Sequence, residues 1–120
     1  MFKLMVVDDS NIIRNRIQRA YNSDKFMLVA TATSGVEAIE KFNTHYPDVI
    51  TMDLTMPHMD GLECIEKIVA INSEVRILVV SALSDKATGI EALSLGASGF
   101  LTKPFSEEEL VEALDELMQD

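Results

Sequence analysis

Asp8 and Asp9 stand immediately after one apolar run, and Asp53 stands immediately after another. Ser81 ends a further run, and Lys103 with Pro104 follows the last. Singly, each has an ordinary explanation: an Asp pair with Ser10 beside it can cap a helix, a serine can open a turn, and Lys-Pro is a frequent surface turn. Jointly they form a set of carboxylates, one hydroxyl and one ammonium at corresponding ends of successive apolar segments. Three aspartates brought together repel, and the repulsion has to be neutralised by protons or by a cation. Ligands that are all oxygen, with no Cys or His in the motif, suit a hard ion that keeps waters, Mg²⁺ rather than zinc. A lysine, a hydroxyl and a spare carboxylate beside that ion suit a transferring phosphoryl group, a reaction that depends chiefly on positioning and charge stabilisation. Carboxylates are nucleophiles that form aspartyl phosphates. Phosphoryl transfer to a carboxylate is the chemistry this set predicts.

Five apolar runs must position these groups: Lys3–Val7, Met27–Thr31, Val49–Met52, Arg76–Val80 and Gly99–Leu101. They read as strands, and the middle three are too uniformly apolar for a wet face, which predicts a buried parallel sheet. Between them lie stripes of helical period: Ile13, Ile17, Ala20 and Tyr21; Val36, Ile39 and Phe42; Leu62, Ile65, Ile68 and Val69; and finally Leu110, Leu114, Leu117 and Met118. Ser34–Glu37 and Ser106–Glu109 are capping boxes, Asp60–Glu63 follows the same logic, and Gly96 is a helix C-cap. Strand alternating with helix predicts an α/β doubly wound, five-stranded parallel sheet with helices on both faces; the order 2-1-3-4-5 is taken over from flavodoxin-like sheets of this kind, not read from the pattern. Ligands of such sheets bind beyond the carboxyl ends of the strands, at the switch point between strands 1 and 3. The polar set falls there.

The segments Val6-Val7-Asp8-Asp9-Ser10, Met52-Asp53-Leu54-Thr55-Met56-Pro57, Asp60-Gly61, Val80-Ser81-Ala82 and Lys103-Pro104-Phe105 resemble the motif set of response-regulator receiver domains. The resemblance covers essentially the whole chain, residues 1–120, and is nearest to stand-alone, CheY-like chemotaxis regulators. It implies that Asp53 is the phosphoacceptor, that Asp9 and Asp53 bind Mg²⁺ directly with the backbone carbonyl of Thr55, and that Asp8 acts through water. It implies that Lys103 pairs with the phosphoryl oxygens, that Ser81 follows them as the switch hydroxyl, that Phe100 is the switch aromatic, and that the Lys103–Pro104 bond is cis. The donor would be a histidine kinase or a small acyl phosphate. The target would be a protein docking on the face of helix 4, strand 5 and helix 5, with a flagellar motor switch among the candidates. Such a protein is a cytoplasmic monomer that catalyses only its own phosphorylation and dephosphorylation. Phe100 lacks the hydroxyl of the tyrosine many CheY-like proteins carry, so a partner contact through that hydroxyl is not expected. Leu83, two residues after Ser81, cannot orient an attacking water, which predicts a long-lived acyl phosphate. Gly89 weakens the fourth helix by about 1 kcal/mol relative to Ala, marking it as the loose element.

Composition excludes other classes. The net charge of −10 over 120 residues repels nucleic acid backbones and suits basic protein partners and divalent cations. No apolar stretch approaches the roughly 18 residues of a membrane span, and Asp8-Asp9 breaks the opening apolar run too early for a signal peptide. Cys64, the single cysteine, has no partner for an internal disulfide, fits a reducing cytoplasm and reads as a half-buried helix residue. Arg14, Arg16 and Arg19 give the first helix a basic side that reads as solvated charge or a kinase-docking face, and His45 and His58 stand in loops without a role. The competing readings are the receiver portion of a longer regulator or methylesterase, a phosphate sink, and a small Mg²⁺-dependent phosphatase. Thr55 stands where such a phosphatase carries its general acid. A flavin carrier of similar fold is disfavoured because the acidic cluster would repel the flavin phosphate.

Overall fold

The computed structural model describes residues 1–20, 25–54, 60–82 and 86–119. Strands β1 (Phe2–Val7), β2 (Phe26–Ala32), β3 (Val49–Met52), β4 (Arg76–Ser81) and β5 (Gly99–Thr102) alternate with five helices. These are α1 (Asn11–Ala20), α2 (Gly35–His45), α3 (Gly61–Ile71), α4 (Lys86–Ser94) and α5 (Glu107–Leu117). All neighbouring strands are parallel, in the order β2-β1-β3-β4-β5 expected of a flavodoxin-like sheet.

Alternation along the strands divides the core into two layers. Met5, Val7, Ile50, Met52, Ile77 and Val79 face one side, where α2, α3 and α4 supply Phe42, Ile65, Ile68 and Ala92. Leu4, Val6, Val49, Leu78 and Val80 face the other, against Ile17 of α1 and Leu110, Leu114 and Leu117 of α5. Covered on both sides, β3 and β4 are almost wholly buried, as is the carboxyl half of β1. β2 departs from the expectation of a dry strand. It lies at the edge of the sheet, Met27 is 46% exposed, and the Lys41 ammonium reaches across from α2 to the Thr31 carbonyl at 2.8 Å. A charge over an edge strand discourages pairing with another chain.

Helix starts fall where the caps predict. Ser106 and Glu109 form a reciprocal box at α5, and Asp60 accepts from the Glu63 amide at α3. At α2 the Ser34 hydroxyl accepts from the Glu37 amide, while the Glu37 carboxylate reaches past the cap to the Thr33 amide. After α4, Gly96 adopts φ 118°, and the amides of Gly96 and Ala97 donate to the carbonyls of Leu93 and Ala92. This Schellman pair needs a left-handed residue, which glycine supplies without strain.

Several sequence expectations are corrected. Val36 is 47% exposed, because α2 turns Gly35, Ala38 and Phe42 inward instead. Cys64 is fully buried, and His45 is the last residue of α2. The α1 stripe is carried by buried Ile17 and half-buried Ile13. Tyr21, Thr55, His58 and Leu83 lie outside the described residues, as does the side chain of Ala20.

Candidate functional site

The sheet's own hydrogen bonding continues past the strand ends and fixes the backbone that carries the polar set. The Asp8 amide donates to the Ala32 carbonyl at 3.0 Å, that of Asp53 to Val7 at 3.0 Å, and that of Lys103 to Ser81 at 2.9 Å. These residues therefore keep sheet-like backbone partners while their side chains meet at the rim. One oxygen each of Asp8, Asp9 and Asp53 lie within 4.8 Å of one another. Asp8 and Asp53 are 1% and 2% exposed, and Asp9 is exposed.

Lys103 does not sit opposite this cluster; it sits in it. Its Nζ lies 2.7 Å from Asp8 Oδ2 and 3.8 Å from Asp53 Oδ1, with the lysine side chain 16% exposed. The other Asp8 oxygen, Oδ1, accepts from the Ser10 amide at 2.8 Å. Ser10 Oγ in turn accepts from the Ile13 amide at 3.3 Å, so the serine caps α1 and the carboxylates are left for other work. One ammonium among three carboxylates leaves a local excess of negative charge in a poorly solvated place, which a cation relieves.

The donor set fits Mg²⁺. It is all carboxylate oxygen, and octahedral Mg–O distances of about 2.0–2.1 Å put opposite ligands roughly 4.2 Å apart. A spread of up to 4.8 Å is slightly wide for three direct ligands. Asp8 is the carboxylate with both oxygens already engaged, by the Ser10 amide and the Lys103 ammonium.

Ser81 is fully buried at the end of β4, and its carbonyl holds the Lys103 amide. The Lys103–Pro104 bond is cis, as the resemblance implied. Phe100, on β5, is half-buried, and its ring lies 3.6 Å from where a Cβ on Gly89 would stand. Thr55 lies outside the described residues, so its carbonyl cannot be assigned a position.

Two contributors carried no role in the sequence reading. Gly61, the first residue of α3, passes so close to the loop after β3 that a Cβ there would run into the Asp53 carbonyl and the Leu54 Cα. Its amide donates to the Leu54 carbonyl at 3.0 Å, tying α3 to the residue after Asp53. The Asp60-Gly61 pair was the available signal, readable as a cap followed by a close approach. The second contributor is Arg14, whose Nη1 donates to the Asp8 carbonyl at 2.7 Å. Cys64 takes no part: burial pushes its thiol up to about 12, with Glu63 and Asp60 adding to the shift.

The response regulator receiver domain family model matches residues 4–115. Chemotaxis protein CheY of Listeria monocytogenes serovar 1/2a is 36% identical over 115 residues, covering 96% of this chain and 97% of that protein. A protein-glutamate methylesterase/protein-glutamine glutaminase of Colwellia psychrerythraea is 44% identical over 110 residues, which is 88% of this chain and 28% of that protein. Among solved structures, the CheX-CheY-BeF3-Mg complex from Borrelia burgdorferi includes a chain that superposes with a TM-score of 0.95 at 30% identity, covering 99% of this chain and 90% of that one.

Proposed function

This chain belongs to the response regulator receiver domain family, and on that premise we propose that it is a phosphorylation switch that accepts a phosphoryl group on Asp53. The carrying observation is the rim cluster: a buried Asp53 at the end of β3, two further aspartates within 4.8 Å, and a lysine ammonium between Asp8 and Asp53. An Asp53 carboxylate oxygen forms the bond to phosphorus. The P–N bond of a phosphohistidine breaks with a proton on the departing imidazole, or the P–O bond of a small acyl phosphate breaks and its carboxylate leaves as the anion. Mg²⁺ held by Asp9, Asp53 and the Thr55 carbonyl, with Asp8 behind a water, would offset the charge of the phosphoryl oxygens. Lys103, already 3.8 Å from Asp53, supplies a donor to the new oxygens. Ser81, at the end of the adjacent strand, supplies a second.

Charge-assisted hydrogen bonds contribute about 1.5–3 kcal/mol each. Two of them approach the roughly 5.5 kcal/mol that inverts a 1:99 equilibrium. The element that responds is α4, which buries only Ala92 among its described side chains 87–94 and leaves Ile90 66% and Leu93 48% exposed. Movement of Ser81 toward the phosphoryl group lets Phe100 turn inward beside Gly89, reshaping the surface of α4, β5 and α5 for a protein target. The donor is a histidine kinase, the setting is cytoplasmic chemotaxis signalling, and the chain acts on no external substrate. The match to 28% of the length of a methylesterase supports a second reading, in which the same switch serves as the receiver portion of a longer regulator.

Incubation with acetyl phosphate and Mg²⁺, followed by intact mass measurement, tests the assignment. The wild-type protein gains one phosphoryl group and Asp53→Asn gains none. Equal labelling of the two, or turnover of an external phosphate ester, overturns it.

A further inference from the structure

The basic side of α1 is partly engaged inside the protein. Arg14 and Arg16 are half-buried, and Arg19 alone of the three is exposed. Arg14 bridges two acceptors at once: Nη1 donates to the Asp8 carbonyl at 2.7 Å and Nη2 to Asn11 Oδ1 at 2.9 Å. The Asp8 carbonyl belongs to the peptide unit joining Asp8 to Asp9. Fixing that plane fixes the relative direction of the two carboxylates. Arg16, two residues along, lies over the Phe105 ring with its guanidinium carbon 5.4 Å from the centroid. Phe105 is 2% exposed and sits two residues after Lys103, beyond the cis Pro104.

The two loops that meet at the site come from distant parts of the chain, and α1 touches both. Arg14 holds the loop bearing Asp8, Arg16 holds the loop bearing Lys103, and Asp8 and Lys103 are joined by the 2.7 Å ion pair. The result is a closed circuit: α1, Asp8, Lys103, Phe105 and back to α1. An ammonium on a flexible four-carbon stem needs such fixing to occupy one position. We infer that Arg14 and Arg16 are positioning residues for the Asp8–Lys103 pair, Arg14 setting the carboxylate end and Arg16 the ammonium end. The inference rests on the phosphoacceptor reading for its effect on chemistry. The circuit itself does not depend on that reading.

The test uses the full chain with Arg14→Lys and Arg16→Met. Arg14→Lys keeps the charge but not the fork that spans two acceptors. Three readouts are taken: the ¹⁵N ammonium resonance of Lys103 in the unphosphorylated protein, the Mg²⁺ Kd by titration calorimetry, and the rate of Asp53 labelling by acetyl phosphate at saturating Mg²⁺. The Lys103 ammonium signal, sharp in wild type because its protons are held by Asp8, broadens in both variants. Arg14→Lys weakens Mg²⁺ about tenfold, the range for residues that orient a ligand. Arg16→Met leaves the Mg²⁺ Kd within about twofold and slows labelling about tenfold. This split separates positioning from general destabilisation. A lowered denaturation midpoint with the ammonium signal, Kd and labelling rate all unchanged overturns the inference. So does an equal effect of both variants on Mg²⁺ affinity. If the wild type itself fails to label, the phosphoacceptor reading has failed, and the ammonium resonance still decides whether the circuit exists.

Discussion

Lys103→Met removes the cation paired with the Asp8 and Asp53 carboxylates and leaves the shape of the site nearly intact. At an effective dielectric of about 20, unit charges at the observed 2.7 and 3.8 Å attract by roughly 6 and 4 kcal/mol. Most of that offsets the cost of drying the charges. The measurable loss on removing one partner of a buried pair is about 3–5 kcal/mol. With Lys103 16% exposed, water can follow the lost ammonium toward Asp8, so the low end, about 3 kcal/mol, is expected without metal. The lysine and a bound cation answer the same excess of negative charge, so their contributions are coupled and the coupling is reciprocal. Mg²⁺ therefore binds the variant more tightly than wild type, and at saturation the gap narrows by the difference in binding free energy alone, about 1.4 kcal/mol for each tenfold in Kd. Urea denaturation followed by circular dichroism, at increasing Mg²⁺, measures both effects, with the m value unchanged between the proteins. A deficit that stays constant as Mg²⁺ rises would show that Lys103 and the metal do not share a field. No deficit at all would mean that the ion pair is not formed in solution. Either result refutes the electrostatic account of the site.

Thr51, on β3 two residues before Asp53, is 1% exposed, and its Oγ1 has no hydrogen-bond partner among the described residues. Thr51→Val, near-identical in shape, should stabilise the protein by about 1–2 kcal/mol, raising Tm by roughly 4–8 °C per kcal/mol. A lower Tm would mean that the hydroxyl is satisfied in solution. For Cys64 the folded thiol sits at about 12 against an ordinary 9.0, so the folded state holds its proton more tightly than the unfolded chain. Its contribution is fully present below pH 9 and is lost as pH rises toward 12. Cys64→Ala should flatten the alkaline decline of stability in pH-dependent urea melts, and an unchanged slope would contradict the buried-thiol account.

The alternation of strand and helix and the meeting of Asp8, Asp9, Asp53 and Lys103 at one rim were legible because both depend on backbone periodicity. Strand ends are set by where apolar runs stop, and parallel crossovers bring those ends to one rim. Less legible was whatever depends on how a helix is rotated or where a strand lies. Val36 matched a helical stripe, yet α2 is rotated to bury its small residues Gly35 and Ala38, and Val36 faces out. The Met27–Thr31 run matched a buried strand, but it lies at the edge of the sheet, where Met27 is exposed. Long side chains were the least readable. Arg14, Arg16 and Lys103 can each reach several partners, and tertiary contacts choose among them. Lys103 chose Asp8 over Asp53 by about 1 Å, a preference no spacing rule contains.

That preference bears on how a signal leaves the site. Lys103 already lies within 3.8 Å of Asp53, so answering a phosphoryl group there requires the ammonium to be shared and hardly requires it to travel. A displacement that small, on a loop tied to α1 through Phe105 and Arg16, moves little else. On the proposed reading, the conformational work then falls on the connection from β4 to α4, next to β5 in the sheet. There Ser81 is buried at the end of β4, and α4 follows with one buried described side chain and a glycine against Phe100. The β1 and β5 loops, tied to α1, would then hold the charges for transfer, while α4 has few buried contacts to lose, so a few kcal/mol of new hydrogen bonding would move it.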